Sequence, residues 1–161
     1  CEKYADETEL MLQKNNMSED EREEFLDRFS EESDRTLVAF GIMGGIFGEG
    51  IDLKNDRLIG AIVVGTGLPQ ISNERTILKD YYDAENGCGF DYAFRYPGIN
   101  KVLQAAGRVI RTTEDTGVIL LLDERFWQRE YDLLYPREWS DRKPCNIANV
   151  GKLVADFWEQ I

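Results

Sequence analysis

The chain has 161 residues, with 19 Lys plus Arg against 31 Asp plus Glu, a formal net charge of −12 and no histidine. That length fits one domain with a real core, since a chain of about 150 residues buries roughly 70% of the surface its unfolded form exposes. Ser-His-Asp catalysis, Cys-His catalysis and histidine-ligated zinc are excluded, and the 3 cysteines (Cys1, Cys88, Cys145) are too scattered and odd in number for a thiolate metal site or a secreted disulfide framework.

Glu9–Gln13 reads as a short strand. Ser18 then caps a helix running to about Glu32, with Glu21 completing a capping box. Phe25, Leu26 and Phe29 share one face of it and the rest is charged, as for a solvated helix laid against a sheet. Thr36–Phe40 is apolar and β-branched, a buried strand that runs into a glycine-dense loop from Gly41 to Leu53. Leu58–Val64 is a second apolar strand, ending at Gly65-Thr-Gly-Leu-Pro69. Ser72–Asp83 reads as helix, Gly87–Gly98 as irregular and aromatic, and Asn100–Arg111 as helix. Gly117–Leu122 is another buried strand, Asp123–Tyr135 looks helical, and Ile147–Ile161 is a last amphipathic helix.

Strands apolar throughout and separated by helices indicate an α/β fold, a parallel sheet with helices on both faces. Ligands of such sheets bind beyond the C-terminal strand ends. The glycine loop after Phe40 and the turn after Val64 both lie there.

Acidity is uneven along the chain. Residues 1–60 hold 16 acids and 7 bases, net −9, whereas residues 61–161 hold 15 acids and 12 bases, net −3. The acidic field repels nucleic-acid phosphates, so any phosphate contact must be local, and the second half is the place for it. The longest apolar run, Val118–Leu122, is far short of the roughly 20 residues that cross a bilayer. The acidic N-terminus is unlike a signal peptide, so a cytoplasmic chain without membrane contact is expected. Its start at Cys1 points to a piece of something longer.

The glycine loop matches neither standard phosphate-binding loop. Gly45 and Gly50 have Walker A spacing, but Ile51 stands where lysine is required, and Leu53 breaks a G-x-G-x-x-G pattern. What remains is a loop that lets backbone approach a ligand and carries two carboxylates, Glu49 and Asp52; glycines that merely turn a tight loop would look the same. Val118–Leu122 followed by Asp123 and Glu124 mimics a Walker B strand, yet without a P-loop a helix-capping role for Asp123 fits as well. The aromatics Phe90, Tyr92, Phe94 and Tyr96 beside Arg95 suit either base stacking or packing between elements.

The segment Gln104-Ala-Ala-Gly107-Arg108-Val-Ile-Arg111 is the most specific. On a helix Gln104, Arg108 and Arg111 fall within roughly 60° of arc, with Gly107 beside them allowing another surface to come close. Paired guanidiniums suit phosphate oxygens, though a surface salt-bridge stripe has the same geometry.

Together these segments resemble the second RecA-like motor domain of superfamily two DNA helicases of the XPD/DinG type. The resemblance rests on Gly44-Gly-Ile-Phe-Gly-Glu-Gly-Ile-Asp52 (motif V), Gly67-Leu-Pro69, Gln104–Arg111 (motif VI) and Asp123-Glu-Arg-Phe126, over roughly residues 8–135. It implies a RecA-like domain over 1–135, incomplete at its start, with 136–161 a following loop and helix packed on it. Arg108 and Arg111 would be arginine fingers on ATP, and Gln104 would monitor the same nucleotide. Asp52, Glu49 and Gly107 would line the nucleotide, while Gly48, Gly50 and Gly67 would touch single-stranded DNA. ATP and Mg²⁺ would sit at the junction with a first RecA-like domain of the same polypeptide, which holds Walker A and B. By the same resemblance an iron–sulfur cluster could lie in that upstream part, this chain would bind no metal, and movement would be 5′ to 3′. The alternatives are a non-catalytic RecA-like interaction domain, or another α/β nucleotide binder using Asp123 and Glu124 as metal ligands.

Overall fold

The computed structural model describes residues 4–30, 33–45 and 58–161. Strands β1 (Thr8–Leu12) and β2 (Thr36–Phe40) run parallel, in register from Thr8 opposite Thr36 to Leu12 opposite Phe40. Parallel neighbours cannot be joined by a tight turn, so the chain crosses over through helix α1, Glu19–Asp27. The predicted capping box is formed: Glu21 N donates to Ser18 Oγ at 3.2 Å, and Ser18 N donates to the Glu21 carboxylate at 2.8 Å. On the predicted apolar face Phe25 is buried and its ring lies 6.2 Å from that of Phe29. The helix ends at Asp27, earlier than its sequence suggests, and tightens into a 3₁₀ turn over Arg28–Ser30. Arg28 there forms an ion pair with Glu9 on β1, tying the crossover back to its strand.

The second parallel pair is β3 (Gly60–Val64) with β4 (Val118–Leu122), in register from Gly60 opposite Val118 to Val64 opposite Leu122. Among the described residues the parallel architecture therefore consists of two separate two-stranded ladders. Helix α2 (Asn73–Asn86) follows Ser72, where the predicted helix begins; the Ser72 hydroxyl caps it by accepting from Arg75 N. It ends at Gly87 in the left-handed region.

Residues 87–98 are not irregular. After Gly87 the chain re-enters a helix whose turn over Asp91–Arg95 is π-helical, the Tyr96 N–H reaching back to the Asp91 carbonyl, and it continues as α3, Tyr96–Ala106. The alternating aromatics disguised this, because a wide turn brings residues four and five apart onto one side. Their rings pack on one another: Tyr82 stacks on Tyr92 at 3.9 Å, and Phe90 on Phe94 at 5.5 Å. Arg95 forms an ion pair with Asp91. Ring packing within this run and onto α2 thus engages all four aromatics.

The core follows the same helical run. Val63 on β3, Ala93 and Phe94 in the π turn, Ile99, Val102 and Ala106 on α3, and Val109 just beyond it are all buried. Positions 99, 102, 106 and 109 keep the three-and-four spacing of a helix face turned inward.

The chain up to Asp123 forms one compact unit, and Glu124–Ile161 forms a second. In the second unit the helix expected over Asp123–Tyr135 is broken into a 3₁₀ turn, Glu124–Trp127, and a single α-turn, α4, Arg129–Asp132. Tyr135 donates its hydroxyl to the Phe126 carbonyl at 2.7 Å, and Arg142 pairs with Asp132 while lying over the Tyr135 ring. The last helix, α5, spans Val150–Trp158.

Candidate functional site

Two of the singled-out segments, the start of the glycine loop and the Gly67 turn, meet the first turns of α3 beyond the C-terminal ends of β2 and β3. Gly67, in the turn after β3, has φ +68°, and a Cβ placed on it would stand 2.7 Å from the Gly98 carbonyl oxygen and 2.9 Å from the Met43 sulfur. Only glycine allows both the backbone angle and that approach. Reciprocally, a Cβ on Gly98 would stand 2.7 Å from the Thr66 carbonyl oxygen. The turn after β3 and the first turn of α3 are thus packed backbone against backbone, with Thr66 buried between them.

The start of the glycine loop joins this cluster from the other side. Met43 reaches Gly67, and the Lys101 side chain of α3 runs alongside Gly44. The loop is held from β1 by Gln13, a residue the sequence did not single out. Gln13 N donates to the Phe40 carbonyl at 2.8 Å, and its side-chain oxygen accepts from Ile42 N at 2.9 Å. Its only sequence signal is a polar amide at a strand end. Gly48, Glu49, Gly50 and Asp52, expected at DNA and nucleotide, lie outside the described residues.

The arginine-bearing segment departs from expectation. Helix α3 ends at Ala106, so Arg108 and Arg111 do not share a helical face with Gln104. Gly107 N makes the last four-residue bond, to Leu103 O at 2.8 Å; Arg108 N and Val109 N then bond only three residues back, to Ala105 O and Ala106 O. The apolar spacing at Val109 mimics continued helix, but the backbone hydrogen bonds have already been handed over. Arg111 N and Thr112 N both donate to the same oxygen of Asp115, at 2.9 and 2.7 Å. Those two bonds, the Thr112 one foremost, hold the Asp115 carboxyl below the usual carboxylate range.

Gln104 and Gly107 are exposed, whereas Arg108 and Arg111 are half-buried. A Cβ on Gly107 would stand 3.2 Å from the Leu103 carbonyl oxygen, so the surface there stays low. The guanidiniums are donors only and the Gln104 carboxamide can donate through its NH₂, a set that fits anionic oxygens. Among the described residues no group of three or more Cys, Asp or Glu converges as a metal site, and no helix is long and apolar enough to cross a membrane.

Comparison with known proteins gives a consistent picture. The family model described as the helicase C-terminal domain matches residues 2–142. The chain is 33% identical to the ATP-dependent DNA helicase XPD of Sulfolobus acidocaldarius over 79% of its own length and 22% of that protein. It is 30% identical to the ATP-dependent DNA helicase DinG of Photobacterium profundum over 80% of its length and 20% of that protein. A regulator of telomere elongation helicase 1 homolog from Caenorhabditis elegans is 30% identical over 60% of the chain and 10% of that protein. The chain therefore spans about a fifth or less of these relatives.

Proposed function

Because this chain belongs to the helicase C-terminal domain family, with its RecA-like α/β fold, we propose that it serves as the second motor domain of an ATP-dependent DNA helicase of the XPD/DinG kind. In this reading the motor domain extends to residue 135. Arg108 and Arg111 reach the phosphates of ATP held by a first RecA-like domain of the same polypeptide, and Gln104 contacts the same nucleotide. Asp52, Glu49 and Gly107 complete the nucleotide's surroundings, while Gly48, Gly50 and Gly67 follow the backbone of single-stranded DNA.

The observation that carries this reading is the convergence of the start of the glycine loop, the Gly67 turn and the first turns of α3 beyond the strand ends, with both arginines following the far end of the same helix. Bound Mg-ATP supplies the transferable phosphoryl group, and the donor set on this chain suits its oxygens and leaves the metal to the first domain. Positive charge aimed at those oxygens lowers the barrier: an arginine finger contributes about 10³–10⁵ in rate, which is roughly 4–7 kcal/mol. Since the arginines come from a second domain, hydrolysis depends on domain closure, and the same closure shifts the chain's grip on DNA.

Two measurements test this. The purified 161-residue chain should hydrolyse no ATP, and robust turnover would refute the division of the site between domains. In the helicase polypeptide, Arg108→Ala and Arg111→Ala should each lower DNA-stimulated turnover by about 10³-fold or more while ATP still binds. Near-normal rates in both variants would refute the finger assignment.

A further inference from the structure

We propose that Asp115 is the positioning residue for Arg111: its carboxylate fixes the stretch of backbone that aims the Arg111 guanidinium. The proposal rests on the reading that Arg111 meets the nucleotide.

A side chain on a helix inherits its direction from the helix. Arg111 lies beyond the helix: α3 stops at Ala106, and three-residue bonds follow at Arg108 and Val109. The next groups to be held are the N–H of Arg111 and the N–H of Thr112, and both are taken by one Asp115 oxygen. Two adjacent amides converging on a single acceptor fix the orientation of the peptide between them, and a charged acceptor makes such bonds shorter and stronger than a neutral one. The loop is closed from the other direction by Glu114 N, which donates to Thr112 Oγ1 at 3.2 Å. At the loop's base the Val109 side chain fills the space beside Gly117, just before β4. Packing thus anchors the two ends of residues 110–116, and Asp115 anchors the middle, where Arg111 lies.

This device depends on reach as well as charge. Asn keeps an oxygen at the same distance from the backbone, whereas Glu keeps the charge but carries it one methylene further. In the helicase polypeptide, Asp115→Ala should lower kcat for DNA-stimulated ATP hydrolysis about 10–100-fold, the scale of a small misplacement of a reacting group. KM for ATP should stay within about threefold, because the lost interaction matters in the transition state. Asp115→Asn should remain within about fivefold of wild type, its bonds weaker but in place, and Asp115→Glu should behave like Asp115→Ala. In an Arg111→Ala background, Asp115→Ala should cause no further loss.

An active Asp115→Ala enzyme alongside an impaired Arg111→Ala enzyme overturns the positioning role and leaves the finger assignment standing. An active Arg111→Ala enzyme overturns both. Should Asp115→Ala fail to fold, the Asn and Glu variants decide: full activity in Glu with loss in Asn would mean that charge, not placement, is what Asp115 supplies.

Discussion

The two ends of α3 are secured in opposite ways. At its start Gly98 lies against the Thr66–Gly67 turn so closely that no Cβ fits on either glycine, and Ile99 and Val102 are buried beneath. Beyond its end, Arg111 and Thr112 are held by hydrogen bonds to one partly exposed carboxylate. Close packing gives a fixed scaffold because interiors tolerate little change of volume. A polar bracket at the surface gives direction to charged groups without burying them. The difference teaches where each kind of force is used: packing to place the helix, hydrogen bonds to aim what leaves it.

Three measurements on the chain can break or sharpen that contrast. The largest effect is expected for Ile99→Ala, which removes buried methyl groups and should cost about 2–5 kcal/mol in denaturant unfolding. A smaller loss, about 1–3 kcal/mol, is expected for Gly98→Ala, whose new Cβ must push the Thr66 carbonyl aside. If either variant unfolds like wild type, the first end is not held by packing. The smallest effect is local and concerns acid. Asp115 has a depressed carboxyl pKa in the folded chain. Its contribution is therefore present above the ordinary aspartate value of about 4 and is lost as pH falls through the lower folded value. Hydrogen exchange at Arg111 and Thr112, corrected for its intrinsic pH dependence, should accelerate there while the amides of Ile99 and Val102 stay protected. Opening of both ends together on acidification would remove the distinction.

Much of this arrangement is legible in the residues themselves. Thr36–Phe40 is a strand over the bounds its composition indicates, and Ser18 caps α1 as read. These are local signals, an apolar run or a hydroxyl three residues before an amide. The end of α3 is not local. Val109 keeps the helical apolar phase, and Gly107 adopts an ordinary right-handed conformation that does not announce a stop. Past it, Arg111 N and Thr112 N bond to Asp115, a contact that exists only in the folded loop. The partners of Gly67 are equally remote in sequence, so a glycine in that turn could be noticed but not explained. The π turn was hidden because alternating aromatics look extended when written on a line.

That π turn has an angular meaning. An α-helix advances about 100° per residue, so one residue accommodated in a wider turn lets the chain before it and the chain after it face independent directions. Within the wide turn Tyr92 meets Tyr82; downstream, Gly98 meets the turn after β3, and Val102 and Ala106 are buried. Removing a residue from Asp91–Arg95 to restore regular spacing would satisfy only one of these sets. The wide turn is thus an offset in phase, set before α3 begins.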